Sequence, residues 1–243
     1  MTRARYAVWW ACALLGACGQ EGAGLVGGQV AGVPDGAVEG VIVYDGPVPR
    51  RFKKKRRAVV TAQLNPPRVL VTEKGLIADA VVTLESLEAA RFAAAAAPLT
   101  VDVDQMGSVY SPHVVVVPVG GAVQFLNSDL ILHNVHARTD AGTFAQRDMP
   151  PGSKWTLEVG SKERAISIGC NFHPWMAGHV RVVNTRLFGK SDLRGQFRIP
   201  NVPDGRYRVQ IWHAALRAAN ELPMYIDVKD GRSSTLRLAV RAR

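Results

Sequence analysis

The segment Gly169-Cys170-Asn171-Phe172-His173-Pro174-Trp175-Met176-Ala177-Gly178 places a thiol, an imidazole and a thioether within one short loop. These three ligand types together select copper: the Cys sulfur and His nitrogen supply strong in-plane bonds, and a soft Met sulfur suits a long axial position. One in-plane imidazole is still missing. The stretch Gln124 to Val135 offers His133 after an alternating strand that ends in turn residues, and Cys170 lies 37 positions further on. That interval holds about three strands, so the ligands can meet across a β-sandwich. A buried Cys or a core Met is ordinary when it occurs singly. The four residues together match copper's preferred donors, Cys170 and two imidazoles in plane with Met176 as axial ligand.

With these residues in view, the chain resembles the cupredoxins, and its loop resembles the amicyanin type: Cys, two residues, His-Pro, an aromatic, Met, and Gly soon after. Tyr110-Ser111-Pro112, the valines 114–117 and Gly120 to Asp129 resemble the strand pair that precedes the first copper His in that family. The resemblance covers about residues 101 to 184. It implies a Greek-key β-sandwich, equatorial ligands His133, Cys170 and His173, axial Met176, and Asn134 tethering the two ligand loops. It also implies electron transfer with copper as cofactor. Phe172 departs from the pattern, standing where the amicyanin type has Pro.

Cysteine usage gives a separate argument. Met1 to Arg5 is basic, Tyr6 to Leu15 is apolar, and Leu15-Gly16-Ala17 precedes Cys18. The apolar run is far short of the ~20 residues a membrane-spanning helix needs, so 1–17 reads as a cleavable export signal. Leu-Gly-Ala-Cys resembles a bacterial lipobox, which implies lipidation of Cys18; the plain alternative is an ordinary cut near Ala17 with Cys18 free. Gly19 lacks the Asp that would favour inner-membrane retention, so an outer-membrane lipoprotein facing the periplasm or cell surface is expected. Cys12 then leaves with the signal and Cys18 carries lipid, so Cys170 stands alone in an oxidising compartment, where a metal would occupy it.

The formal net charge is +10. Removing Arg3 and Arg5 leaves +8, and Arg50-Arg51-Phe52-Lys53-Lys54-Lys55-Arg56-Arg57 holds seven of those charges, so the remainder is near neutral. Such a run is either a solvated loop or a dock for anionic headgroups or an acidic redox partner. Nucleic acid is not expected for an exported chain without interleaved aromatics.

The mature length exceeds one small sandwich. Residues 18–37 are rich in Gly and Ala and read as a flexible tether. Residues 38–97 carry β signals at Val38 to Tyr44 and Ala78 to Leu84 around the basic run, and Leu87 to Ala97 is Ala-rich enough for a helix or a spacer. The copper domain is expected over 98–185. Strands separated by Gly-containing turns fill 186–243. There Asp192-Leu193-Arg194-Gly195-Gln196-Phe197 and Pro203-Asp204-Gly205-Arg206-Tyr207 resemble the carboxypeptidase regulatory-like, prealbumin-type sandwich. That family usually opens with strands like Val38 to Tyr44 and Ala80 to Leu84. The copper domain is therefore either inserted into the second sandwich or placed before it. The expected fold class is all-β, a cupredoxin Greek-key sandwich plus a second small sandwich.

Trp175 beside His173 either marks a docking rim or covers the metal from water. Trp212 is expected in the second sandwich's core. His113, His136, His179 and His213 lack ligand spacing among themselves and read as hydrogen-bonded histidines. Asp104, Glu85 and Asp129 form no recognisable acid/base couple, and no Gly-x-Ser-x-Gly or His-Glu-x-x-His is present, so an enzyme is not expected. Three functions follow: an electron carrier with an unknown redox partner, a copper-delivery protein, or an adhesion or glycan-binding sandwich with incidental copper.

Overall fold

The computed structural model describes residues 36–47, 71–72, 74–87, 98–160, 165–219, 224–230 and 234–242. The signal at 1–17, the lipidation site Cys18, most of the tether, the basic run 50–57 and the Ala-rich stretch 88–97 lie outside them. The described residues are all-β and contain no helix; four sheets form a cupredoxin-like sandwich and a second sandwich.

Among the described residues two strands come first, β1 (Gly36–Tyr44) and β2 (Val81–Ser86). Nine strands of the copper-loop sandwich follow: β3 (Thr100–Gln105), β4 (Tyr110–Ser111), β5 (Val114–Pro118), β6 (Ala122–Asn127), β7 (His133–Thr139), β8 (Gly142–Met149), β9 (Lys154–Glu158), β10 (Ala165–Gly169) and β11 (Ala177–Val183). They pair as β5-β11-β10-β7-β8 in one sheet and β4-β3-β6-β9 in the other. In β10 the isoleucines 166 and 168 face inward while Ala165 and Ser167 face out, the alternation of a strand with one buried face. Between the sheets Val103, Phe125, Val135, Ile166, Ile168 and Val180 form the core, and Cys170 and Met176 belong to the same cluster. Cys170 and Met176 therefore hang from the end of a packed core rather than from a free loop.

The C-terminal strands are β12 (Phe188–Lys190), β13 (Gln196–Val202), β14 (Gly205–Trp212), β15 (Leu216–Ala218), β16 (Met224–Val228) and β17 (Ser234–Ala242). Their sheets are incomplete without the first two strands. β1 lies between β13, antiparallel, and β17, parallel over Val38↔Ser234 to Tyr44↔Val240. β2 lies between β12 and β14. In sequence, residues 98–183 stand between β2 and β12.

The valine run of β5 is buried at every position, as a strand covered on both faces must be. Val115 and Val117 enter the copper-loop core. Val114 and Val116 turn the other way and pack with Val81 and Val183 against Phe188 and Trp212. Trp212 thus corrects its expected place: it belongs to the joint between the sandwiches, because β5 presents a second apolar face that must be covered. Lys190 Nζ reinforces the joint by donating to Val114 O at 2.8 Å.

Candidate metal centre

The loop joining β10 to β11 carries Cys170, His173 and Met176. Its turn is closed by Met176 N–H donating to His173 O at 2.9 Å, which brings the imidazole back toward the sulfur. Gly178, just inside β11, is required by packing: a Cβ there would stand 2.9 Å from Ile168 side-chain carbons and 3.2 Å from Tyr110 Cβ. Cys170 and Met176 are buried, and His173 is half-buried at the rim.

His133 opens β7 and is fully buried. Its Nδ1 lies 2.9 Å from His173 Nδ1, and Cys170 Sγ is 3.6 Å from that same His173 nitrogen. The ligand atoms of His133, Cys170 and His173 all lie within 4.8 Å of one another, the one such group of three among the described residues. Two nitrogens each ~2.0 Å from one ion at a near-tetrahedral angle stand ~3 Å apart, so the imidazole pair has the separation that shared ligation demands. Nitrogen, thiolate and nitrogen donors with a buried thioether nearby are the donor set copper prefers.

The outer nitrogen of His133 is fixed as firmly as the inner one. His133 Nε2 is 2.8 Å from Asp129 Oδ2, and since an ionised carboxylate only accepts, the proton sits on Nε2 and Nδ1 keeps its lone pair. Asp129 is itself held by Gly107 N–H at 2.7 Å and Ser108 N–H at 2.8 Å. This is the carboxylate–histidine arrangement that orients metal-binding imidazoles. Burial alone would raise the Asp129 carboxyl, but the Ser108 and Gly107 N–H groups and His133 outweigh it and hold its pKa below the ordinary value. The His173 pKa is lowered by burial and by the proximity of His133, which favours the neutral, ligating ring.

Asn134 joins the two ligand-bearing segments from both sides. Its Oδ1 accepts Asn171 N–H at 2.8 Å, and its own N–H donates to Cys170 Sγ at 3.4 Å. Tyr110 adds a third tie, its hydroxyl lying 2.7 Å from Asn134 O and 2.8 Å from Gly169 O. Burial, with Cys170 adding, pushes the Tyr110 phenol well above its ordinary pKa, so it stays a donor. Trp175 lies against the His173 ring at 5.3 Å between centroids.

Of the residues singled out in the sequence, His133, Cys170 and His173 converge, Met176 is buried behind them in the same core cluster, and Asn134 and Trp175 flank them. Asp129 and Tyr110 were not foreseen in these roles. An acid four residues before a ligand histidine is a usable signal for the first; nothing local marks Tyr110, whose role depends on β3 and β4 pairing beneath the loop.

No protein-family model matches this chain, and no curated protein does. Solved structures with similar folds include a purple cupredoxin, amicyanin mutants and a copper-containing nitrite reductase. A purple cupredoxin from Nitrosopumilus maritimus is 24% identical, over 34% of this chain and 99% of that one, with a TM-score of 0.31. A reduced amicyanin mutant is 26% identical, over 42% of this chain and 98% of that one, with a TM-score of 0.32. The copper-containing nitrite reductase from Thermus scotoductus SA-01 is 24% identical over 41% of this chain, with a TM-score of 0.32; the match spans 27% of the reductase. The reading of the metal centre rests on the donor geometry, not on these likenesses.

Proposed function

We propose that the protein is an exported type 1 copper protein that carries electrons, with His133, Cys170 and His173 as equatorial ligands and Met176 as axial ligand. The observation that carries this reading is the convergence of two imidazole nitrogens and the Cys170 sulfur within 4.8 Å, with His133 locked from outside by Asp129. Copper bound by such a set supplies one-electron chemistry between Cu(I) and Cu(II). The chain's part is to hold the ligands still. Asn134, Tyr110 and Asp129 fix both segments by hydrogen bonds, and a site so constrained changes little in geometry when its charge changes. Half-buried His173 gives an electron a short path to the surface. Leu130, Ile131 and Leu132 before His133, and Phe172 before His173, are exposed apolar side chains that a redox partner's face could cover.

The reading extends to an electron carrier rather than an enzyme, anchored through lipidated Cys18 at the outer membrane, with Arg50 to Arg57 favouring an anionic surface or an acidic partner. Cys18→Ser is expected to release the protein from membranes, and Gln at Lys53, Lys54 and Lys55 to weaken salt-sensitive binding of a lipid-free form to acidic vesicles. Wild-type protein recovered as a soluble species, or unchanged vesicle binding, refutes the corresponding part. For the central reading, a redox titration of the copper-loaded protein should show one reversible one-electron couple that follows an intense visible band. Rapid loss of copper to a chelator without such a couple would favour copper delivery instead.

A further inference from the structure

Two neighbouring cavities, of about 660 and 850 Å3, lie between the outward face of β10 and β11 and the turn after β14, and Ser167, His179 and Ala214 line both. The first also reaches the loop from Cys170 to Ala177, and the second is walled by Trp212 and Arg181. In the lining of the first cavity two histidines that are far apart in sequence meet. Parallel pairing of β5 with β11 sets Val114 opposite His179, so His113 lies one step away, and His179 N–H donates to His113 O at 2.8 Å. The ring centroids are 5.4 Å apart and nearly perpendicular, against 4.7 Å for the His133–His173 pair. With metal–nitrogen bonds of ~2.0 Å, two imidazoles on one ion at a tetrahedral angle have centroids ~5 Å apart, so the spacing suits shared ligation.

The His113 ring is also prepared for it. Its Nδ1 lies 3.1 Å from Ala177 O, and a carbonyl only accepts, so Nδ1 carries the proton and Nε2 keeps the lone pair. A backbone carbonyl on the outer nitrogen is the usual tie of a metal-binding imidazole. The remaining histidines do not join this pair. His136 lies beyond β10, opposite Gly169, with Nδ1 on Asn171 Oδ1, and His213 Nδ1 accepts Ala215 N–H.

We propose that His113 and His179 form a second metal site, a two-imidazole seat for a late first-row divalent ion, with cavity water completing the coordination. Cu(II) binds such nitrogen donors most tightly in that series. The site is distinct from the Cys170 centre and does not depend on it. Trp212, 6.3 Å from His179 between ring centroids, stands close enough for its fluorescence to report a bound ion.

The test uses the full chain, first given one equivalent of copper and then titrated with Cu(II), with bound copper counted after equilibrium dialysis. Wild type should take a second equivalent that adds a nitrogen-ligated Cu(II) resonance in electron paramagnetic spectra, quenches Trp212 and leaves any visible band unchanged. His113→Ala and His179→Ala should each weaken that second equivalent at least ~10-fold, since even outer-shell losses cost that much. His136→Ala should leave it in place. Should His179→Ala melt early or misfold, His113→Ala carries the test, because that ring is half-exposed and lies outside the core. A copper count that His113→Ala leaves unchanged, whether wild type holds one equivalent or two, overturns the proposal. The copper count reads the second site even if the first proves colourless, so the two readings fail separately.

Discussion

Replacing Asp129 by Asn should raise the midpoint potential of the copper centre. The carboxylate lies 2.8 Å from His133 Nε2, and adding about 2.2 Å across the ring and about 2.0 Å of bond puts its charge about 7 Å from where the ligand atoms converge. At an effective dielectric of about 20, one unit charge at that distance favours the more positive Cu(II) state by roughly 2 kcal/mol. A tenfold change in a one-electron couple is 59 mV, so the full effect is on the order of 100 mV. Asp129 is 17% exposed, and solvent screening reduces this to some tens of millivolts. Asn keeps one oxygen for His133 and Ser108 but turns its NH2 toward the Gly107 N–H, which loses its acceptor, so stability should fall by about 1 kcal/mol or more. The assay is equilibrium redox titration of both proteins at one pH and ionic strength. A potential unchanged within about 10 mV, or one that falls, would refute the charge argument.

Tyr110→Phe should lower stability by about 1–3 kcal/mol, because the buried carbonyl of Asn134 and the part-buried one of Gly169 lose their shared donor; denaturant melts check this, and an unchanged midpoint would count against the tie. The apo-protein should lose stability as pH falls. His173 titrates lower when folded, so the unfolded chain takes up its proton first below about pH 6.5, and Asp129, also lowered, adds a further loss below about pH 4. A melting temperature that is flat or rises from pH 7 to pH 5 would contradict that sign. Residues 186–243 alone should not fold cooperatively, since β1 and β2 occupy interior positions in the two sheets they would need; a sharp thermal transition of that fragment would show that the strands are dispensable.

The metal loop was legible in the sequence because three of the four proposed ligands fall within seven residues, where chemistry needs no knowledge of the fold. His133 was legible from the turn that follows an alternating strand. What stayed hidden depends on pairing across the chain. Asp129 looked like one of several scattered acids until the turn at Gly107 and Ser108 brought two N–H groups to its carboxylate. His113 and His179 showed no ligand spacing because parallel pairing, not local repeat, brings them together. Trp212 was misplaced for a related reason. The four valines of β5 can be read as a buried strand, but not which element covers their second face. In the second sandwich the turn motifs pointed to the longer strands, whereas β12 and β15, three residues each, carry too little pattern to stand out.

The measurement that bears most directly on the account is the visible spectrum of the copper-loaded lipid-free protein beside that of Cys170→Ser. The thiolate–copper bond is the source of intense visible absorption, so wild type should be strongly coloured. The Ser variant should lose the band even where Cu(II) remains on the two imidazoles. A colourless wild type, or an intense band that survives Cys170→Ser, would contradict the blue-copper assignment.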